Sequence, residues 1–205
     1  GGIYTNQLIK AEFSGADVLE LATSSYGSVS VNDMQNLGYT NSELGVYFEY
    51  WAQLGADIND GGTYYGTSVA LSSDGTIVAA SAPSGGPSNK GQVLVHEYSS
   101  GSWRQLGATI VGEANQDQMG QSVSLSSDGT IVAIGAEMND GNGYSSGHVR
   151  IYQYSSDSWT QLGADINGES GGDKLGTSVS LSSDGTIVAM GSKFNNGSRG
   201  HVRVY

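Results

Sequence analysis

The fold is decided by Ser68-Val-Ala-Leu-Ser-Ser-Asp-Gly-Thr-Ile-Val-Ala79, because this stretch occurs three times in the chain of 205 residues. It returns as Ser122-Val-Ser-Leu-Ser-Ser-Asp-Gly-Thr-Ile-Val-Ala133 and as Ser178-Val-Ser-Leu-Ser-Ser-Asp-Gly-Thr-Ile-Val-Ala189. The copies start 54 and then 56 residues apart. A regular period of this length indicates a fold built from repeated supersecondary units.

Each repeat predicts four short β-strands. In the first copy, Ser68–Ser72 alternates small polar and apolar residues, and Thr76–Ala80 is β-branched at its start; both patterns are typical of strands. The Asp-Gly pair between them predicts a two-residue hairpin turn with positive φ. Gln92–Tyr98 and Trp103–Ile110 complete the unit. Every copy opens its last strand with a tryptophan that we interpret as a packing anchor: Trp51, Trp103 and Trp159.

Four-stranded units of about 50 residues, arranged radially, describe a β-propeller. A β-solenoid is the first alternative, but its coils are shorter, about 20–30 residues each. A β-sandwich is the second, but it would not repeat its own sequence. We therefore predict an all-β fold, a β-propeller of four-stranded blades of about 50–56 residues with an incomplete set of blades.

The blade boundaries follow from the repeat positions. We predict a single β-propeller region over residues 1–205, with a degenerate blade at 1–58, blades at 59–110 and 111–166, and an incomplete blade at 167–205. The degenerate copy is recognised by strand-like segments at Leu8–Ser14, Asp17–Ala22 and Leu44–Tyr50.

Because the chain begins with Gly-Gly-Ile and stops within a repeat, we expect it to be part of a longer or processed polypeptide with further blades. The alternative is a small ring, closed when the N-terminal Ile3-Tyr-Thr segment completes the last blade. Open strand edges in an incomplete arc would favour self-assembly.

Two short motifs recur in register with the strands. Tyr65-Gly66, Met119-Gly120 and Leu175-Gly176 precede the first strand of each repeat. The second strand is followed in turn by Ser81-Ala82-Pro83, Gly135-Ala136-Glu137 and Gly191-Ser192-Lys193. Together they resemble the FG-GAP repeat, the blade of integrin α-subunit propellers, well over residues 51–205 and loosely over 1–50. The resemblance implies that Gly66–Ser72 is the innermost strand of its blade and the Trp-Gln-Leu-Gly strand the outermost.

FG-GAP propellers commonly bind calcium in a carboxylate-rich loop between the first two strands, and this chain departs from that pattern. Its corresponding loop is only Ser-Asp-Gly-Thr. One carboxylate cannot supply the six to eight oxygens that calcium takes. We therefore interpret Asp74, Asp128 and Asp184 as turn formers.

A different loop has calcium-like spacing. Oxygen-bearing side chains occur in one glycine-rich stretch, at Asp165, Asn167, Glu169 and Asp173. Because glycines permit tight wrapping around a hard cation, calcium is the one cofactor that the sequence suggests. The equivalent loops of the other copies lack the full pattern, so the competing interpretation is a solvated loop with turn-forming Asp and Asn.

The three histidines do not predict a metal site. His148 and His201 stand at the same position of successive repeats, and His96 lies at a different position of the same strand. Equivalent positions in neighbouring blades are too far apart to share a metal ion at about 2 Å. We interpret them as exposed strand-end residues. Asn196-Gly-Ser198 is an acceptor sequence for glycosylation if the protein is secreted.

Composition excludes several classes of function. The chain has 20 acidic against 8 basic residues and a net charge of -12, so nucleic acid is not an expected partner. The sequence lacks an apolar run long enough for a membrane span. It has no cysteine, and so neither a disulfide framework nor a cysteine nucleophile.

We predict a non-catalytic extracellular or cell-surface module of a larger protein, acting in adhesion or as an assembly scaffold. A carbohydrate-binding or carbohydrate-active β-propeller is the alternative. Protein or glycan partners are expected at loops, which in repeat folds are where binding residues concentrate. These loops are Asp57–Tyr65, Glu113–Met119, Asn139–Ser146 and Asp165–Leu175.

Overall fold

The structure is a computed structural model that describes residues 53–59 and 62–205, apart from the side chains of residues 196 and 198. The chain divides into two compact units, Gly1–Gln53 and Leu54–Tyr205. The strands predicted within residues 1–50 lie outside the described residues. The following account concerns the second unit.

The described part of the second unit is all-β and contains three antiparallel sheets, one for each clear repeat. Sheet 1 contains β1 Val69–Leu71, β2 Ile77–Ala82, β3 Gln92–Ser99, β4 Ser102–Gln105 and β5 Ile110–Val111. Sheet 2 contains β6 Ser122–Leu125, β7 Ile131–Ala136, β8 His148–Ser155 and β9 Ser158–Asn167. Sheet 3 contains β10 Leu175–Leu181, β11 Val188–Ser192 and β12 His201–Val204. The helical elements in this described part are one 3-10 turn, Pro87–Asn89, and one short helix, α1 Asn195–Ser198.

Strand order follows the chain in every sheet, as the four-strand repeat predicts. Sheet 2 matches that prediction directly, whereas the last strand of sheet 1 is interrupted and pairs with β3 in two pieces, β4 and β5. Within the described residues no helix is long and apolar enough to cross a membrane.

The Ser-Asp-Gly-Thr turns confirm the predicted role of the three aspartates. In the first, Asp74 Oδ1 accepts hydrogen bonds from the Ser72 hydroxyl at 2.6 Å and from the Thr76 N–H at 3.0 Å. The turn is closed by the Gly75 N–H, which donates to the Ser72 carbonyl at 3.0 Å. The predicted two-residue hairpin is therefore wrong in detail: Gly75 has φ 74°, and Asp74 is not among the positive-φ residues.

Neighbouring sheets pack through the same contacts at both junctions. The Ser73 N–H donates to the Ser127 carbonyl at 2.9 Å, and the Ser127 N–H donates to the Ser183 carbonyl at 2.8 Å. One core cluster joins residues of sheets 1 and 2, including Val93 and Ile134, and a second joins residues of sheets 2 and 3, including Val149 and Met190. The middle sheet is thus covered on both faces.

The loops of successive sheets meet at one end of the strands. Antiparallel order puts the second-to-third-strand loops and the links between repeats at the same end, opposite the Ser-Asp-Gly-Thr turns. Backbone hydrogen bonds join them: the Met119 N–H donates to the Lys90 carbonyl at 3.0 Å, and the Leu175 N–H donates to the Ser146 carbonyl at 2.9 Å. We call this surface, residues 62–68, 83–91, 112–121, 137–147, 168–174 and 193–200, the loop face.

Candidate functional site: a charged cluster below the loop face

Four ionisable side chains converge where sheet 2 meets the loop face. We call them the sheet-2 cluster: Glu113, His148, Arg150 and Asp165. Glu113 lies in the link before β6, His148 and Arg150 lie on β8, and Asp165 lies on β9.

Local strand geometry brings the β8 and β9 members together. His148 and Arg150 are two residues apart on one strand, so their side chains project from the same face. Strand β9 pairs with β8 with a register shift between Val149 and Ile151. Because a β-bulge re-aims side chains, this shift brings the Asp165 carboxylate to Arg150.

Arg150 binds both carboxylates of the cluster. Its Nε donates to Asp165 Oδ1 at 2.7 Å and its Nη2 to Asp165 Oδ2 at 2.7 Å, which is a bidentate fork. The same Nη2 also donates to Glu113 Oε2. The hydrogen bond from Arg150 is the main reason that the pKa of Asp165 falls to about 2, and the same pairing raises the pKa of Arg150. Both groups are therefore charged at neutral pH.

His148 is the most deeply buried member, with 1% of its surface exposed. Its Nδ1 lies 3.9 Å from Glu113 Oε1 and 3.9 Å from Asp165 Oδ2, and it makes no hydrogen bond. Burial, followed by the positive charge of Arg150, lowers the pKa of the imidazole, so it is neutral at neutral pH. The prediction of exposed strand-end histidines is therefore wrong for His148, because the packed loop face covers the start of β8. It is also wrong for His96, which is buried within β3.

A second ion-pair group links sheets 2 and 3. Glu137 accepts hydrogen bonds from Lys193 Nζ at 3.0 Å and from the Thr177 hydroxyl at 3.1 Å, and Lys174 Nζ lies 3.7 Å away. Both lysines also lie over the ring of Phe194, with Nζ-to-centroid distances of 5.3 and 5.7 Å. These contacts satisfy Glu137 and join neighbouring repeats.

The residues of the predicted calcium loop have separate partners. Asp165 binds Arg150, whereas Asp173 Oδ2 accepts from the Ser170 N–H at 2.9 Å and from Asn195 Nδ2 at 3.1 Å. Glu169 Oε2 lies 3.5 Å from Asn195 Nδ2. The main-chain carbonyl of the remaining residue, Asn167, accepts from Arg203 Nη1 at 2.8 Å. Calcium binding at this loop stays a prediction.

The other candidate site is the glycosylation sequence. The backbone of Asn196 belongs to α1, and its side chain lies outside the described residues. Glycosylation of this asparagine therefore also stays a prediction.

Sequence reasoning missed the sheet-2 cluster because its members come from three segments. The alternating His-Val-Arg at residues 148–150 was the available signal, since it places two polar side chains on one face of a strand. The partners of those side chains depend on the β9 bulge and on the path of the link that contains Glu113, and neither is visible in the strand pattern.

No family model and no curated protein matches the chain. Among solved structures, the chain is similar to two candidate 6-phosphogluconolactonases, from Bacteroides fragilis NCTC 9343 and Bacteroides uniformis ATCC 8492, each with a TM-score of 0.45 and 14% sequence identity. The similarity covers 66% and 67% of this chain and 33% and 34% of those chains. The chain therefore spans about one third of the length of either structure.

Proposed function

We propose that the described unit is an arc of an FG-GAP-like β-propeller and that it serves as a non-catalytic interaction module of a larger extracellular protein. Its partner, a protein or a glycan, binds at the loop face. The observation on which this proposal mainly rests is one loop position that keeps a left-handed backbone in three repeats while its side chain changes.

The propeller is supported by what the outer sheets expose. Val69 of sheet 1 is exposed, although its counterpart in sheet 2, Val123, is buried. On the other side, Val202 of sheet 3 is exposed, although its counterpart Val149 is buried. Apolar side chains at these repeat positions are buried or partly buried wherever a neighbouring described sheet is present, so both outer faces are suited to receive a further blade.

The interaction module is supported by one repeated loop position. Tyr64, Gln118 and Lys174 stand at the same place in the three repeats, with φ values of 58°, 54° and 56°. Left-handed backbone is costly for residues other than glycine, and such strain clusters at functional sites. The repeat keeps the backbone conformation and changes the side chain from aromatic to amide to cation, as a surface that discriminates between partners would.

Two tyrosines provide contact area on the loop face. Tyr64 is 73% exposed and Tyr144 is 79% exposed. Tyrosine gives a large amphipathic contact at low entropic cost, for protein and for sugar surfaces alike. The loop of Tyr144 is held by its neighbour, because the Tyr144 carbonyl accepts from the Gly172 N–H at 2.7 Å.

The test is binding of the whole chain to an array of glycans and to an array of purified extracellular-matrix proteins. We expect a ligand whose binding falls at least tenfold in Tyr64→Ser and Tyr144→Ser. Asp157→Asn, in the turn at the opposite end of sheet 2, is the control and should bind normally. A glycan ligand selects the alternative of a carbohydrate-binding propeller, and a protein ligand selects the adhesion module.

Three results would contradict the proposal. The first is the absence of any ligand on both arrays, and the second is binding that neither tyrosine variant weakens. The third is catalytic turnover, for which hydrolysis of 6-phosphogluconolactone by the purified chain is a direct assay.

A further inference from the structure

His148 Nδ1 has no satisfactory partner in either neutral form of the ring. If Nδ1 has a proton, its nearest acceptors are the two carboxylate oxygens at 3.9 Å, beyond hydrogen-bond distance. If it has a lone pair, that lone pair faces two negatively charged groups. A buried polar atom left without a partner carries an uncompensated desolvation penalty, so a group that belongs between these three atoms would relieve it.

We propose that Glu113, His148 and Asp165 form a binding site for a divalent transition-metal ion of the zinc class. Each residue offers one ligand atom, and the three atoms lie within 4.8 Å of one another. This inference goes beyond the proposed function and does not depend on it, because it concerns side chains at the base of the loop face rather than the displayed tyrosines.

The geometry requires only a small closure of the three ligands. Ligand atoms about 2.0–2.2 Å from a zinc ion are roughly 3.0–3.5 Å apart, compared with the 3.9 Å that separates Nδ1 from each carboxylate. Glu113 can supply the movement, since it lies in a loop and its side chain is 44% exposed. His148 and Asp165 are held by paired strands and would form the fixed part of the site.

Arg150 is a cation that competes with a metal ion for the two carboxylates. The net charge of the cluster allows the guanidinium and the metal ion to bind together. Two carboxylates and one guanidinium give the cluster a net negative charge with a neutral imidazole. Arg150 binds Glu113 through Oε2, whereas the oxygen nearest to His148 is Oε1. The Asp165 oxygen Oδ2 is shared, because it accepts from Arg150 and also faces Nδ1.

The donor set selects the class of ion. Calcium and magnesium take oxygen ligands, whereas imidazole suits zinc, copper, iron and nickel. One imidazole nitrogen with two carboxylate oxygens is therefore a transition-metal set, and water would complete the coordination. Within the described residues, Glu113, His148 and Asp165 are the one group of acidic and histidine side chains whose ligand atoms lie close enough together to hold a metal ion.

The next repeat provides a natural comparison. His201, Arg203 and Glu169 stand at the positions of His148, Arg150 and Glu113. Arg203 donates to the Asn167 carbonyl, and Glu169 contacts Asn195. Among the described residues, His201 is not part of a group of three such ligands, so it is the matched control for His148.

The first experiment is calorimetric titration of the EDTA-treated whole chain with ZnCl₂. We expect one site, weakened at least ~100-fold by His148→Phe and at least ~10-fold by Glu113→Gln, whereas His201→Phe stays within about twofold. The Glu113→Gln variant is expected to fold, because the Glu113 side chain is half-exposed and glutamine has the same shape. It therefore tests the site even if His148→Phe misfolds. An excess of Ca²⁺ should not displace the zinc.

The second experiment is long-range ¹H–¹⁵N NMR of the imidazoles, which we expect to show a zinc-dependent shift of the Nδ1 resonance of His148 and not of His201. The proposal is overturned if millimolar Zn²⁺ does not bind. It is equally overturned if zinc binds with the same affinity to the folded His148→Phe and Glu113→Gln variants, or if the Nδ1 resonance does not move.

Discussion

Gly135 lies where sheets 2 and 3 approach each other closely, and replacing it by alanine tests the packing between repeats. A Cβ added to Gly135 would lie 2.0 Å from the Gly176 carbonyl oxygen and 2.7 Å from the Ser122 hydroxyl. Gly135 is not among the positive-φ glycines, so alanine fits its backbone conformation. The cost of Gly135→Ala is therefore steric and arises at the junction.

The magnitude follows from the size of the overlap. Real Cβ atoms are not found closer than 3.0 Å to such neighbours, so the two sheets must separate by about 1 Å. Overpacking of this kind lowers the free energy of unfolding by about 1–3 kcal/mol. Alanine also makes the unfolded chain less flexible, which offsets about 0.4–1 kcal/mol of that loss. We expect a net loss of about 1–2 kcal/mol, or a fall in Tm of roughly 2–8 °C for a unit of this size.

Gly191→Ala is the matched control, because Gly191 is the same repeat position on sheet 3. There the added Cβ would meet only the side chain of Ser178, at 2.4 Å from Oγ, and this exposed hydroxyl can rotate away. We expect a change within about 0.5–1 kcal/mol. Both variants are measured by urea unfolding and by scanning calorimetry. Equal destabilisation by the two substitutions would refute the close backbone approach of sheets 2 and 3.

The remaining predictions concern one hydrogen bond, one ion pair and one pair of turns. Trp159 Nε1 donates to the Leu106 carbonyl at 2.8 Å, so Trp159→Phe should cost about 1–2 kcal/mol in urea unfolding, and no loss would contradict a packing anchor. Arg150→Gln leaves two neighbouring carboxylates without their cation and should cost about 2–4 kcal/mol without added metal; a loss below about 0.5 kcal/mol would show that the pair is not formed in solution. Hydrogen bonds from hydroxyl and backbone groups lower the pKa of Asp74 and of Asp184 from 3.8 to about 2, so stability present above pH 3.8 should be lost as the pH falls towards 2, and the loss should be shallower in Asp74→Asn; an unchanged slope would contradict this origin.

The repeat and its strand order could be predicted because both are local. Period-two alternation and the Asp-Gly turns lie within a few residues of each other, and the turns form with bonds inside the same short segment. The hairpin type was wrong for an equally local reason: the Asp74 side chain, by accepting from Ser72 and Thr76, stabilises a longer turn in which only glycine needs positive φ.

The sheet-2 cluster could not be predicted because it depends on distant segments. Arg150 binds Asp165 across a strand pair, and Glu113 lies 37 residues earlier in the chain. A bulge between Val149 and Ile151 decides which β9 side chain meets Arg150. The same spacing without the bulge would present a different residue, so no count along the sequence identifies the partner.

The burial of His148 shows that position in the array determines what a repeat residue can do. His148 and His201 have the same neighbours in sequence, yet His148 is fully buried and His201 is partly exposed. The difference comes from adjacent repeats: Leu175 of the following sheet pairs with Gly147, and Lys90 of the preceding sheet donates to the Glu113 carbonyl at 2.9 Å. The junction between repeats therefore buries the His148 ring and leaves its Nδ1 facing two carboxylates, as the proposed metal site requires.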